Sequence, residues 1–362
     1  MQNIRAEILL PTQEIRDDIP FYTKELGMRM EEIFPADDPR EALFSGHGLR
    51  VRIRKGAETA PGILRILADD PVLIAGGKHE LTAPNGTRIE IAHLAPAVEM
   101  PPTRHQFVVR RLAEQAPWIV GRAGMQYRDL IPGRLGGSII ASHIRIPDGG
   151  PVPDMVHYHS VGFQLIFCYH GWVDLVYEDQ GEPFRLHAGN CVIQPPEIRH
   201  RVLVASDNLE VIEIGVPADH VTTIDHEMPL PNGTVNPDRA FEGQRFVHHQ
   251  ADSATWAAFR VPGLIARDTT IAAHTGDVAG VQVWKRDRDQ TDWHSHSADI
   301  HFSFVMNGKM TLEGEGQDAA PLEQGDAFVI PPGMKTRYSD LSDDIEVLEV
   351  TLPGKFQTEV TS

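Results

Sequence analysis

One pattern is spelled twice in this chain, and a chain that repeats itself on this scale folds as two copies of one unit. Arg128-Asp129 precedes an apolar run, Ile139–Ile146, that leads to His157-Tyr-His159. Arg267-Asp268 precedes a second run, Val281–Lys285, that leads to His294-Ser-His296. Gln164 and Gly171 follow the first pair, and His301 and Gly308 follow the second at matching offsets. Gly189-Asn-Cys-Val-Ile-Gln-Pro-Pro-Glu-Ile-Arg-His200 is then mirrored by Gly325-Asp-Ala-Phe-Val-Ile-Pro-Pro-Gly-Met-Lys-Thr336. Each apolar run between Gly and Pro-Pro reads as a strand, and each Pro-Pro as the turn that ends it. Short strands bounded by Gly, Pro and Asp mark an all-β sandwich or barrel.

The repeats divide the chain into blocks 1–100, 101–226 and 227–362. Two turn-rich joints separate them: Ala95-Pro-Ala-Val-Glu-Met-Pro-Pro-Thr103 and Met228-Pro-Leu-Pro-Asn-Gly-Thr-Val-Asn-Pro237. The first block differs in kind. It reads as a strand over Ile4–Leu10, then a helix over Thr12–Leu26 with Ile15, Ile19, Phe21, Tyr22 and Leu26 on its apolar face and Gly27 as its stop. Strands near Met28–Ile33, Ala42–Ser45 and Leu49–Ile53 complete a βαβββ order, an α+β module ahead of two β units.

Composition removes several function classes. The 51 acidic residues outweigh the 33 basic ones for a net charge of −18, which disfavours nucleic-acid binding. No apolar run is long enough for a membrane span, and the first twenty residues lack the pattern of a secretory signal. Cys168 and Cys191 are the only cysteines, too few for a zinc finger or a disulfide scaffold. A reduced, cytoplasmic setting is expected, as is a homo-oligomer, specifically a dimer.

The histidines carry the chemistry. Residues i and i+2 on a strand point to the same side of a sheet, so His157 and His159 share a face. His200, arriving from a later strand, completes a three-imidazole set of the kind first-row transition metals favour. In the second unit His294, His296 and His301 form a possible second metal set. There Thr336 stands where His200 would be, and Lys335 beside it would repel an ion.

These motifs resemble the cupin superfamily, and the doubled set resembles a bicupin. The family pattern is His-x-His, a Glu a few residues on, a Gly at the next turn, and a third His after a Gly and a Pro-bearing turn. The resemblance implies a mainly β fold with two tandem double-stranded β-helix (jelly-roll) barrels, each enclosing a metal pocket. It assigns His157, His159 and His200 to the three histidine positions and Gln164 to the glutamate position. Glutamine is neutral, so the ion would keep its full charge as a Lewis acid. Alternatively Gln164 donates a hydrogen bond to substrate and three histidines alone hold the ion. The first block resembles the glyoxalase-type, vicinal-oxygen-chelate modules in Phe21-Tyr-Thr-Lys-Glu-Leu-Gly-Met28 and Ala83-Pro-Asn-Gly-Thr-Arg-Ile-Glu90. In that family Glu7 and Glu90 lie near ligand positions; a lid, a dimerisation element or a vestige is the competing expectation.

Strand alternation puts Ile166, Cys168 and His170 on the face of Gln164 and sends Tyr158 the other way. Cys168 reads as a small core residue. His170 is a candidate for proton transfer at the rim. Arg145 and Arg199 are candidates to pair a substrate carboxylate, against the alternative of surface ion pairs. The expected activity is that of an iron(II)- or manganese(II)-dependent enzyme, a dioxygenase acting on a small oxygenated organic acid or phenolic compound. A redox-neutral lyase, decarboxylase or isomerase is the second expectation, and a non-catalytic ligand-binding bicupin the third.

Overall fold

The structure is a computed structural model that describes residues 4–12, 14–20, 22–23, 28–46, 49–57, 63–73, 77–82, 88–114 and 117–361. It is mainly β. The chain divides into two compact units, one of Met1–Glu99, Met155–Ser160 and Asp219–Met228, the other of Met100–Asp154, Val161–Ala218 and Pro229–Ser362.

The first unit is built on a βαβββ order. Strand Ile4–Thr12 leads into helix Ile15–Pro20, then strands Arg29–Phe34, Glu41–Gly46 and Leu49–Lys55. The first and last strands run parallel, with Ile8 opposite Val51, and the middle strand pairs antiparallel with its neighbours. The helix is shorter than the Thr12–Leu26 expectation where it is described, and Pro20 occupies its last position; Gly27 and residues 24–26 lie outside the described residues. Strand alternation gives the sheet one apolar face. Ala42, Phe44, Val51 and Ile53 pack with Ile15 and Met28, and Tyr22 stacks on Phe44 with ring centroids 4.8 Å apart.

The next strand, Ile63–Ala68, pairs antiparallel with Ile4–Thr12 and parallel with Arg88–His93. Thr222–Ile224 extends the other edge, with Glu32 opposite Thr223. It pairs in turn with His157–His159, His159 lying opposite Thr222.

The second unit carries the two barrels. In the first, strands Cys191–Ile193, Phe163–His170, Leu209–Val216, Ile140–Ile146 and Gln126–Asp129 pair side by side in an antiparallel sheet. The second repeats this order with Ala327–Val329, Ile300–Asn307, Glu346–Leu352, Gly280–Arg286 and Leu264–Asp268. Each sheet also takes in a strand from the other repeat's leading segment. Val108–Arg110 pairs with Ala327–Val329, and His248–His249 pairs with Cys191–Ile193. The leading segments of the two repeats are therefore exchanged.

Period-2 alternation explains how one strand serves two cores. From Phe163–His170, the side chains of Phe163, Leu165, Phe167 and Tyr169 enter a core shared with Phe302, Phe304, Leu348 and Val350 of the second barrel. The intervening Cys168, with Ile166 against it, packs in a separate core with Val173, Leu175, Tyr177 and Ile198. The shared core joins the barrels; truncating a ring such as Phe304 to Ala would cost about 3–5 kcal/mol.

Candidate metal centre

His157, His159 and His200 each offer one ring nitrogen, and these three atoms lie within 4.8 Å of one another. Among the described residues this is the one group of three His, Cys, Asp or Glu side chains that meets that geometry. All three rings are buried. The His157 and His159 rings stand edge to face, centroids 5.1 Å apart at 86°.

Each ring is held through Nδ1. His157 donates to the carbonyl oxygen of Met155 at 2.7 Å, and His200 to that of Ile198 at 2.9 Å. His159 Nδ1 lies 2.9 Å from the Thr222 hydroxyl. The Tyr177 ring stacks on His200, and the His220 ring meets His159 edge-on. Burial pushes the His200 pKa down to about 4, so this imidazole is neutral at pH 7. Rings anchored through one nitrogen can offer the other to a divalent ion, so the donor set suits a first-row transition metal.

Gln164 lies on the inward face of Phe163–His170 and is buried. Its Nε2 donates to Glu213 Oε1 at 2.8 Å. His170 is exposed at the opposite end of that strand, about 20 Å along it at the usual rise per residue, and its ring lies against Tyr169. Arg145 alternates with Ile144, which packs in the first-barrel interior, so Arg145 faces away from that interior. Its Nε donates to Gln126 at 2.7 Å and its guanidinium lies over the Trp118 ring. The Arg199 side chain turns back to the carbonyl of Glu197 at 3.0 Å.

Three first-barrel residues escaped the sequence reading. Arg122 pairs with buried Asp154, which also accepts from the backbone N–H of Val202. Asp154 and Glu213 both hold the Arg122 pKa up, and Arg122 in turn acts on His200. Glu213 shares the inward face of its strand with Val211. Two signals pointed to Arg122 and Glu213, and none to Asp154. Trp118-x3-Arg122 recurs as Trp256-x3-Arg260. Glu210 and Glu213 are an odd number of residues apart on one strand, so they cannot share a face.

The second barrel arranges its histidines differently. The His296 and His301 rings stack, centroids 4.4 Å apart at 20°. His301 Nε2 donates to Glu349 at 3.1 Å, and Glu349 also accepts from Arg260 at 2.5 Å. His294 donates to the carbonyl of Asp292 and His296 to that of Ile330. An arginine cation thus sits in this pocket beside His301. Thr336 is buried behind His294, and Lys335 is exposed. In the N-terminal unit, Glu7 is fully buried against Arg52 at 3.0 Å and Arg50 at 3.6 Å, while Glu90 pairs with Arg65 at 3.3 Å. Both carboxylates are charge-balanced by arginines.

Residues 270–351 match the family described as Cupin domain. No curated protein sequence matches the chain significantly. Among solved structures, the salicylate 1,2-dioxygenase from Pseudoaminobacter salicylatoxidans, in its adducts with gentisate, superposes with a TM-score of 0.53 at 16% identity. That match covers 73% of this chain and 87% of the other. A variant of the oxalate decarboxylase from Bacillus subtilis superposes at 0.51 with 10% identity, covering 72% of this chain and 81% of that one. At such identities the likeness concerns the fold. The fold is that of a bicupin, and the chain carries a buried three-histidine cluster. No helix among the described residues is long and apolar enough to cross a membrane.

Proposed function

We propose that this protein is a metal-dependent enzyme that inserts dioxygen into a small oxygenated organic acid or phenolic compound. The observation that carries the reading is that three buried imidazoles bring their ring nitrogens within 4.8 Å of one another. Iron(II) or manganese(II) is the expected ion. Held by His157, His159 and His200, it would supply Lewis acidity to a chelating substrate.

The chain's own residues supply the rest. Met155, Ile198 and Thr222 fix the ring orientations. Val173, Leu175, Val192 and Ile198 keep the surrounding interior apolar, which suits the body of a phenolic ring and excludes water. His170, exposed at the far strand end, has no part in the chemistry. The single ion is assigned to the first barrel, since Arg260 lies beside His301 in the second. The two solved structures named above support the substrate class, since salicylate, gentisate and oxalate are all small oxygenated acids.

An oxygen-electrode screen of small organic acids and phenolics with iron-loaded protein tests the reading. Oxygen uptake matching substrate loss is the expected result. The fold shared with a decarboxylase favours a second reading, a redox-neutral lyase, decarboxylase or isomerase. Turnover that proceeds equally well without oxygen, and with zinc or manganese in place of iron, would establish that second reading against the first.

A further inference from the structure

The amide of Gln164 uses its two ends unequally. Its nitrogen donates to Glu213 at 2.8 Å, whereas its oxygen is buried and has no hydrogen-bond partner. A carboxylate can only accept, so the nitrogen is necessarily the amide atom that faces Glu213. The oxygen is thereby turned away from Glu213. A buried acceptor left without a donor is costly, and an orphan of this kind calls for an ion or other electropositive partner.

The second barrel repeats the device with other side chains. Glu349 stands at the position of Glu213, since Glu213 lies opposite Ile166 and Glu349 lies opposite Ser303, two residues beyond Gln164 and His301. Glu349 takes Nε2 of His301, and the buried Nδ1 of His301 is left without a partner. In both barrels a carboxylate on the neighbouring strand fixes which atom its partner has left to offer.

We propose that Glu213 is a positioning residue: it engages the N–H of Gln164 and so presents the amide oxygen of Gln164 as a fourth ligand to the ion held by His157, His159 and His200. The inference rests on the three-histidine reading above. It makes Gln164 an oxygen ligand and commits one of its two N–H donors to Glu213. It also places a carboxylate charge one hydrogen bond behind a neutral ligand, where it polarises the amide and strengthens the oxygen as a donor.

Cobalt(II) is the probe, read by chelator competition and by its visible absorption spectrum. His159→Ala is expected to lose cobalt. Gln164→Leu and Glu213→Ala are each expected to weaken cobalt binding by about 10–100-fold and to give the same altered spectrum. The double variant should bind no more weakly than Gln164→Leu alone. Glu213→Gln, whose carbonyl still accepts from Gln164 but which carries no charge, should fall between wild type and Glu213→Ala in cobalt affinity. Losses that multiply in the double variant, or an unchanged spectrum in Glu213→Ala, would overturn the proposal. If Glu213→Ala does not fold, an unchanged spectrum in Gln164→Leu overturns it instead. Cobalt retained by His159→Ala would sink the three-histidine reading itself.

Discussion

The guanidinium of Arg128 donates to the carbonyl oxygen of Gly325 at 2.8 Å. Arg267, its counterpart in the repeat, donates to the carbonyl of Gly189 at 3.0 Å. Each barrel thus sends an arginine to the glycine turn of the other. Each of these arginines also meets a histidine, Arg128 with His143 at 3.0 Å and Arg267 with His249 at 3.1 Å. The reciprocal pair, the exchanged strands and the shared apolar core fasten the two repeats together.

Removing Arg128 takes the donor from a buried carbonyl, and removing Arg267 takes it from a part-buried one. Arg128→Ala and Arg267→Ala should each lower stability by about 1.5–3 kcal/mol, the usual range for hydrogen bonds to charged groups. Urea unfolding measures the loss. A loss within about 0.5 kcal/mol of zero, the ordinary range for surface substitutions, would show that these contacts do not fasten the barrels.

Thr222 orients His159 through its hydroxyl. Thr222→Val keeps the shape and removes that partner. Metal affinity, measured by chelator competition, should fall by about 10–100-fold as for other outer-shell losses, while the unfolding midpoint of the metal-free protein moves little. Unchanged affinity would mean that His159 is oriented by packing alone.

Four buried imidazoles set the pH response of the metal-free protein. Burial lowers His200, His249 and His294 to about 4 and His296 to about 3, from an ordinary value of 6.5. Below pH 6.5 the unfolded chain binds protons at these rings and the folded one does not. Stability is therefore full above pH 6.5 and falls as the pH drops towards 4. Urea midpoints measured between pH 7.5 and pH 4.5 should decline steadily. A flat profile would contradict the burial of these rings.

The sequence disclosed the repeat because spaced glycines, Pro-Pro turns and His-x-His pairs keep their offsets whatever the strands between them contain. It disclosed the three clustered histidines of the first repeat for the same reason. Glu213 was harder, because a lone glutamate in the run Leu209–Val216 looks like the outward residue of an ordinary half-buried strand. Its inward aim shows only when it is set against Glu210. Arg145 was placed towards the pocket because its strand leads there, although alternation with Ile144 sends it the other way. The exchanged leading strands leave no local mark, since pairing partners far apart in the chain are chosen by packing and not by propensity.

One ion is expected on His157, His159 and His200 and none on the second set. Elemental analysis of anaerobically purified protein tests it directly. Wild type and His296→Ala should each carry close to one ion per chain, and His159→Ala should carry none. Metal lost equally from both variants, or wild-type protein that holds no ion at all, would contradict the account.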